Sequence, residues 1–101
     1  MTGARYARIG VWTGSPEELD RWTAAAHTDV RPRMEQQQGV RGALFLCDRE
    51  GGKALTITLW ESEAAREASE TFLTQSQQRS HDASGAMVTT ERYEIVDSFL
   101  R

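Results

Sequence analysis

With 101 residues, 39% hydrophobic and 27% charged, and a formal net charge of -3, the chain has the makings of one compact domain over 1–101 and no room for a second. Acidic and basic residues are interspersed, with no run of like charge, which argues against nucleic acid or an anionic membrane as a partner. The longest apolar runs are strand-length, the N-terminus carries no apolar signal region, and the single Cys47 excludes an internal disulfide, a pattern that predicts a reduced, cytoplasmic protein.

Ala4 to Thr13 alternates, with Ala7, Ile9 and Val11 on one side and Tyr6, Arg8, Gly10 and Trp12 on the other, the period of a strand. Gly14 ends it. Ser15-Pro16-Glu17-Glu18 then supplies an N-cap, a proline at the first helical position and the glutamate of a capping box. Leu19, Trp22, Ala26, Val30 and Met34 recur at steps of three and four, the stripe of an amphipathic helix, and Pro32 predicts a kink or an end near Arg31. Gln36-Gln37-Gln38-Gly39 reads as the fraying end with a glycine stop. Val40 to Asp48 and Ala54 to Trp60 are strands joined by a hairpin over Arg49-Glu50-Gly51-Gly52-Lys53. Ser62 caps a second helix with a thin apolar face of Ala65, Ala68, Phe72 and Leu73, and the polar stretch from Thr74 to Ser84 leaves its end open. Ala86 to Val96 alternates as a fourth strand, and the tail from Asp97 carries Phe99 and Leu100, which need cover.

The order β-α-β-β-α-β is the ferredoxin-like α+β arrangement, a four-stranded antiparallel sheet with two helices on one face. The second strand is apolar on both sides, Leu44 and Leu46 alternating with Ala43, Phe45 and Cys47, while the third sets Leu55, Ile57 and Leu59 against Thr56, Thr58 and Trp60. Helices cover only one face, so a second copy covering the other predicts a homodimer.

The segment Lys53-Ala54-Leu55-Thr56-Ile57-Thr58-Leu59-Trp60-Glu61-Ser62, together with SPEELDRW after strand one, Gly39-Val40-Arg41-Gly42-Ala43 before strand two and Glu91-Arg92-Tyr93-Glu94-Ile95-Val96 at the close, resembles the antibiotic biosynthesis monooxygenase family of the dimeric α+β-barrel superfamily. The resemblance runs over nearly the whole chain. It implies a homodimer whose sheets face each other in a barrel, with helices outside and a pocket in each subunit. It also implies cofactor-independent oxygenation of a small aromatic, polyketide-like substrate. A deprotonated phenol or anthrone passes an electron to oxygen itself, so no metal, flavin or haem is required. The protein then supplies an apolar pocket, a proton acceptor and donors for the oxyanion. Other relatives degrade haem with an asparagine, a histidine and a tryptophan, and many have no assigned reaction, which leaves a non-catalytic small-ligand-binding barrel as the alternative. This chain departs from both active patterns in having no asparagine, and from the haem degraders in having no histidine from Ala65 to Phe72.

Trp60 matches the family tryptophan by position and is the first candidate for the catalytic pocket; its other reading is a core tryptophan pinning strand three to the second helix. His27, beside the helix-one stripe, is either a general base or an exposed, idle histidine. Arg66, in the first turns after Trp60, either holds an oxyanion or is a surface arginine. Trp22, Phe72 and Leu59 are candidates for the ligand pocket, with core packing the other reading of Trp22. Trp12, with Tyr6 and Arg8 on its strand face, either lines the dimer barrel or rings a pocket mouth; Tyr6, Trp12 and Phe45 are assigned to the dimer face. Cys47 reads as a buried thiol, the adjacent His81 and Asp82 diverge on a helix, and no spacing of His, Cys, Asp and Glu suggests a metal site.

Overall fold

The computed structural model describes residues 3–101. Strand β1 (Tyr6–Thr13) runs between β3 (Lys53–Trp60) and β4 (Met87–Glu94), and β2 (Val40–Asp48) lies outside β3, so the antiparallel sheet has the order β2-β3-β1-β4. This is the ferredoxin-like order that the element pattern predicts, with helices packed on one face. In the register, Ile9 pairs with Ile57, and Ile57 with Leu44; Val11 pairs with Leu55, and Leu55 with Leu46. Opposite partners project from the same side of a sheet, so each of these rows is continuous across three strands.

The first helix, α1 (Pro16–Ala25), begins as predicted. Ser15 Oγ accepts from the Glu18 amide at 3.2 Å, and the Ser15 amide donates back to Glu18 Oε1 at 2.8 Å, a complete capping box. The backbone then widens into a π-helical turn over Ala26–Val30 before α2 (Arg31–Met34). Pro32 has no N–H to offer the carbonyl one turn back, and the wide turn carries the chain past that loss without ending the helix. The apolar stripe therefore survives whole: Leu19, Trp22, Ala26, Val30 and Met34 are all buried.

Ser62 Oγ accepts from the Ala65 amide at 3.0 Å and starts α3 (Glu63–Ala68); after a break at Ser69, α4 (Glu70–Ser84) runs to Gly85, whose φ of +83° closes the helix in the left-handed conformation. The polar stretch whose end the pattern leaves open is thus a full helix. Its buried face is Leu73, Ser76, Ser80 and Ser84, small hydroxyls at helical spacing that let α4 lie close to α1. Ser84 Oγ donates to the Ser80 carbonyl at 2.6 Å, and Arg21 Nη2 of α1 donates to the Ser84 carbonyl at 3.1 Å.

The core lies between the sheet and this helical layer. One cluster joins Trp12, Leu19, Trp22, Ala54 and Ala86; a second joins Val30, Met34, Trp60 and Leu73; Phe45 packs against both. The sheet face under the helices therefore carries Tyr6, Arg8, Gly10 and Trp12 from β1, Thr56, Thr58 and Trp60 from β3, and Ala43 and Phe45 from β2. This corrects the sequence assignment of Tyr6, Trp12 and Phe45 to the dimer face. Trp12 is 3% exposed, with its ring centroid 6.1 Å from that of Trp22, and the helical layer needs these large rings to fill it. The face away from the helices carries the Ile, Leu and Val rows, on which Leu44 is 51% and Leu46 44% exposed. Leu59 belongs to that face too, on the opposite side of β3 from the pocket it was assigned to. Cys47 is exposed, in place of the buried thiol expected. Phe99 and Leu100 have no cover within the chain. Among the described residues, no helix is long and apolar enough to cross a membrane.

Candidate functional site

A cavity of about 20 Å³ lies between sheet and helices, room for one water-sized group. Its floor is Arg8, Gly10 and Trp12 of β1 with Thr56 and Thr58 of β3; its roof is Trp22, Ala26, Val30 and Met34; Leu73, Ser76, Gln77 and Ser80 of α4 close one side and Phe45 of β2 the other. The π-helical turn supplies two of the roof residues. Such widened turns recur at functional sites because they shift side chains out of regular helical register.

Two nitrogens in this lining are buried without a hydrogen-bond partner, Trp12 Nε1 and Arg8 Nε. Leaving a buried donor unpaired costs about 1–3 kcal/mol, so each orphan needs a physical reason. Gly10 explains how the tryptophan fits. A β-carbon on it would stand 3.2 Å from Trp12 Nε1 and 3.4 Å from Gln77 Nε2, so the bare glycine is what leaves space beside the indole N–H. The hydroxyl of Thr58 is fully engaged, accepting from Trp60 Nε1 at 3.0 Å and donating to the Arg8 carbonyl at 3.2 Å.

Arg8 is 4% exposed, and its charge is balanced from the rim of α4: its Nε lies 3.3 Å from Glu70 Oε2, an ion pair off the alignment of a hydrogen bond. Glu70 in turn accepts both arms of Arg92, at 2.7 and 3.0 Å. Burial lowers the Arg8 pKa from its ordinary value, with Glu70 opposing, and the guanidinium stays charged at neutral pH. The Arg92 hydrogen bond, followed by the attraction of Arg8, holds the Glu70 carboxyl below its ordinary 4.5 against the opposing effect of burial. Two guanidiniums against one carboxylate leave a net positive charge beside the cavity.

The sequence-predicted site residues are dispersed. Trp60 is fully buried in the second core cluster, outside the cavity lining, and its indole N–H donates to Thr58 of the cavity floor. Arg66 stacks on Tyr6 at 5.3 Å and donates to the Tyr93 carbonyl at 3.1 Å and the Ala7 carbonyl at 3.4 Å, which ties α3 to β1 and β4. Phe72 packs on the second cluster, also outside the lining. Trp22 does line the cavity. His27 is exposed and borders an outer groove of about 180 Å³ with Trp22, Arg31, Phe45 and Cys47. Phe45 thus stands between that groove and the cavity. His81 Nδ1 lies 2.8 Å from the Ala86 carbonyl while Asp82 accepts from Gln78, so the adjacent pair diverges. Among the described residues, no group of three His, Cys, Asp or Glu is placed to hold a metal ion. Arg8 carries a signal in the sequence, a charged side chain sharing a strand face with two aromatics. Gly10, Thr58 and Gln77 are not singled out there, and for Thr58 the advance signal is two threonines alternating with leucine and isoleucine.

No protein-family model matches the chain. Two uncharacterized proteins of Mycobacterium tuberculosis are 28% identical over 90 residues, which is 89% of this chain and 40% of each relative, so the chain spans about two fifths of the length of the curated relatives it matches. Solved structures are similar over nearly the full chain. A monooxygenase of Streptomyces coelicolor, in complex with nanaomycin D, superposes with a TM-score of 0.79 at 11% identity over 100% of this chain and 96% of that one. A cofactor-independent oxygenase of Streptomyces nogalater gives 0.64 at 14% identity over 97% and 99%. A dimeric ferredoxin-like protein from an uncultured marine organism gives 0.71 at 11% identity over 96% and 99%. The chain has the ferredoxin-like α+β fold of these proteins.

Proposed function

We propose that the chain is a homodimeric α+β-barrel monooxygenase that oxygenates a small aromatic, polyketide-like substrate without a cofactor, and that the cavity beneath the π-helical turn is where a polar group of that substrate is anchored. The observation that carries this reading is a small cavity walled by Trp12, Trp22 and Phe45 with an unpaired N–H and a buried guanidinium in its floor. The shared fold with oxygenases supports it by analogy. The dimer rests on the open sheet face, where Leu44, Leu46 and Tyr93 stand about half exposed beside Ile9, Val11, Leu55, Ile57 and Leu59.

For an anthrone the balance is simple. The carbanion gives an electron to O2, recombination makes a carbon–oxygen bond, and loss of water leaves a ketone, so a CH2 becomes C=O and the second oxygen atom departs as H2O. The chain's own task is to exclude water, hold the ring and move a proton. His27, on the groove outside Phe45, is the candidate to pass the substrate proton to solvent. Trp60 and Arg66 act indirectly, one by holding Thr58 and the other by tying β1 to β4.

The test is oxygen uptake with a model anthrone under 18O2, with mass analysis of the product. Protein-dependent uptake and one 18O in the quinone are expected, with a roughly hundredfold loss in His27→Ala if it is the base. Uptake no faster than free autoxidation would leave a ligand-binding barrel as the function.

A further inference from the structure

We propose that the cavity is an oxyanion site, in which Trp12 Nε1–H donates to the phenolate oxygen of a hydroxyaromatic ligand and Arg8 supplies the positive charge that keeps the ligand ionised. This rests on the cavity being the substrate site, and deepens that reading by naming the ligand class and the residues that select it.

Four observations converge. The indole N–H of Trp12 is buried, unpaired and beside the space over Gly10, where no side chain stands. Arg8 is buried in the same floor and its Nε is likewise without a hydrogen bond. The Arg8–Glu70–Arg92 group is net positive, so an anion in the cavity completes it while a cation would be repelled. The walls are aromatic, and the Thr58 hydroxyl in the floor is already committed to the Arg8 carbonyl. A space of about 20 Å³ has room for a single oxygen atom and not for a two-oxygen carboxylate. The ring cannot enter that volume as it stands. It reaches the oxygen site only when Phe45, which borders the cavity and both outer grooves beside β2, turns outward and gives up its place between Trp22 and Met34. On binding, the phenol proton goes to solvent through the groove.

The experiment needs no turnover. The three tryptophans give three indole N–H signals in 15N-labelled protein, and Trp12→Phe, which keeps the ring and removes the donor, assigns one of them. Titration with 4-nitrophenol in anaerobic buffer is expected to move that signal downfield and to preserve the phenolate absorption of the bound probe at a pH where the free probe is protonated. Trp12→Phe, and Gly10→Ala, whose methyl fills the space beside the indole, are each expected to weaken binding about tenfold. Phe45→Ala is expected to bind faster or tighter. A stationary Trp12 signal at saturation, equal affinity in Trp12→Phe, nitrobenzene binding as tightly as nitrophenol, or no binding by both the native chain and Phe45→Ala would each overturn the site. Phenolate binding as expected with no oxygen uptake from an anthrone would instead sink the monooxygenase reading alone.

Discussion

The two faces of the single sheet are built on opposite logic. On β3, the residues under the helices are Thr56, Thr58 and Trp60, and those facing away are Leu55, Ile57 and Leu59. The covered face is the more polar one, because it floors a cavity and its hydroxyl groups find partners there. The uncovered face is the apolar one, with three strands contributing continuous rows of leucine, isoleucine and valine. The contrast teaches that polarity within a strand marks which side is specialised, and does not by itself mark which side is inside.

The sharpest way to break this contrast is to charge the open face. Ile57→Lys sits at its centre, and burying an unpaired ammonium there from each copy costs on the order of 3–5 kcal/mol per charge. Light scattering is expected to show twice the chain mass for the native protein and a monomer for the variant. A native monomer, or a variant that stays dimeric, would show that the open face is not the interface.

On the covered face, the largest loss is expected from Glu70→Gln. It removes the only carboxylate beside Arg8, and leaving that buried guanidinium uncompensated costs about 3 kcal/mol, roughly 12 °C or more in melting temperature for a domain of this size. The pH dependence has a definite sign. The folded-state pKa of Glu70 is depressed, so its contribution is present above about 4.5 and is lost as the pH falls through the lower folded value. Thermal melts from pH 7 to pH 3 are expected to fall steeply for the native chain and less steeply for Glu70→Gln. Parallel acid limbs would contradict the role given to the ion pair.

A smaller effect is expected from Thr58→Val, a change toward greater hydrophobicity. It strands the Trp60 indole N–H in a fully buried site and is expected to cost about 1–3 kcal/mol by urea unfolding. Stabilisation instead would mean that the covered face is an ordinary apolar core. The smallest expected effect is at Cys47. It is exposed on the helix side of β2, away from the open sheet face, so its rate of labelling by a thiol reagent is expected to be the same in the native protein and in Ile57→Lys. Protection in the dimer would place the interface around the edge of β2.

Much of this architecture is legible in the chain. The capping box at Ser15, the Ser62 cap, the hairpin glycines and the alternation of four strands are local signals, each read within a few residues. The doubly apolar β2 is the local signal on which the proposed second copy rests. The buried serines of α4 were less legible, because Ser76, Ser80 and Ser84 are small polar residues whose helical spacing carries no hydrophobic signal; only their closeness to α1 makes that face a core face. Trp60 shows the same limit from the other side. A large aromatic at the family position reads as a pocket wall, yet here it is a neighbour of the site, holding Thr58 in place.

Sequence alone determined the order of the elements, their caps and the existence of two unlike sheet faces, since each depends on contacts within a turn or on a period of two. It could not determine which face the helices cover, because an alternating pattern is unchanged when the strand is turned over. Only the tertiary structure decided that, when the stripe of α1 and the serines of α4 closed over Trp12 and Thr58. The same closure brought Arg8, Gly10 and Trp12 of β1 and Gln77 of α4 around one small cavity, with two strands and three helices between them in the chain, a juxtaposition set by long-range packing and written in no local pattern.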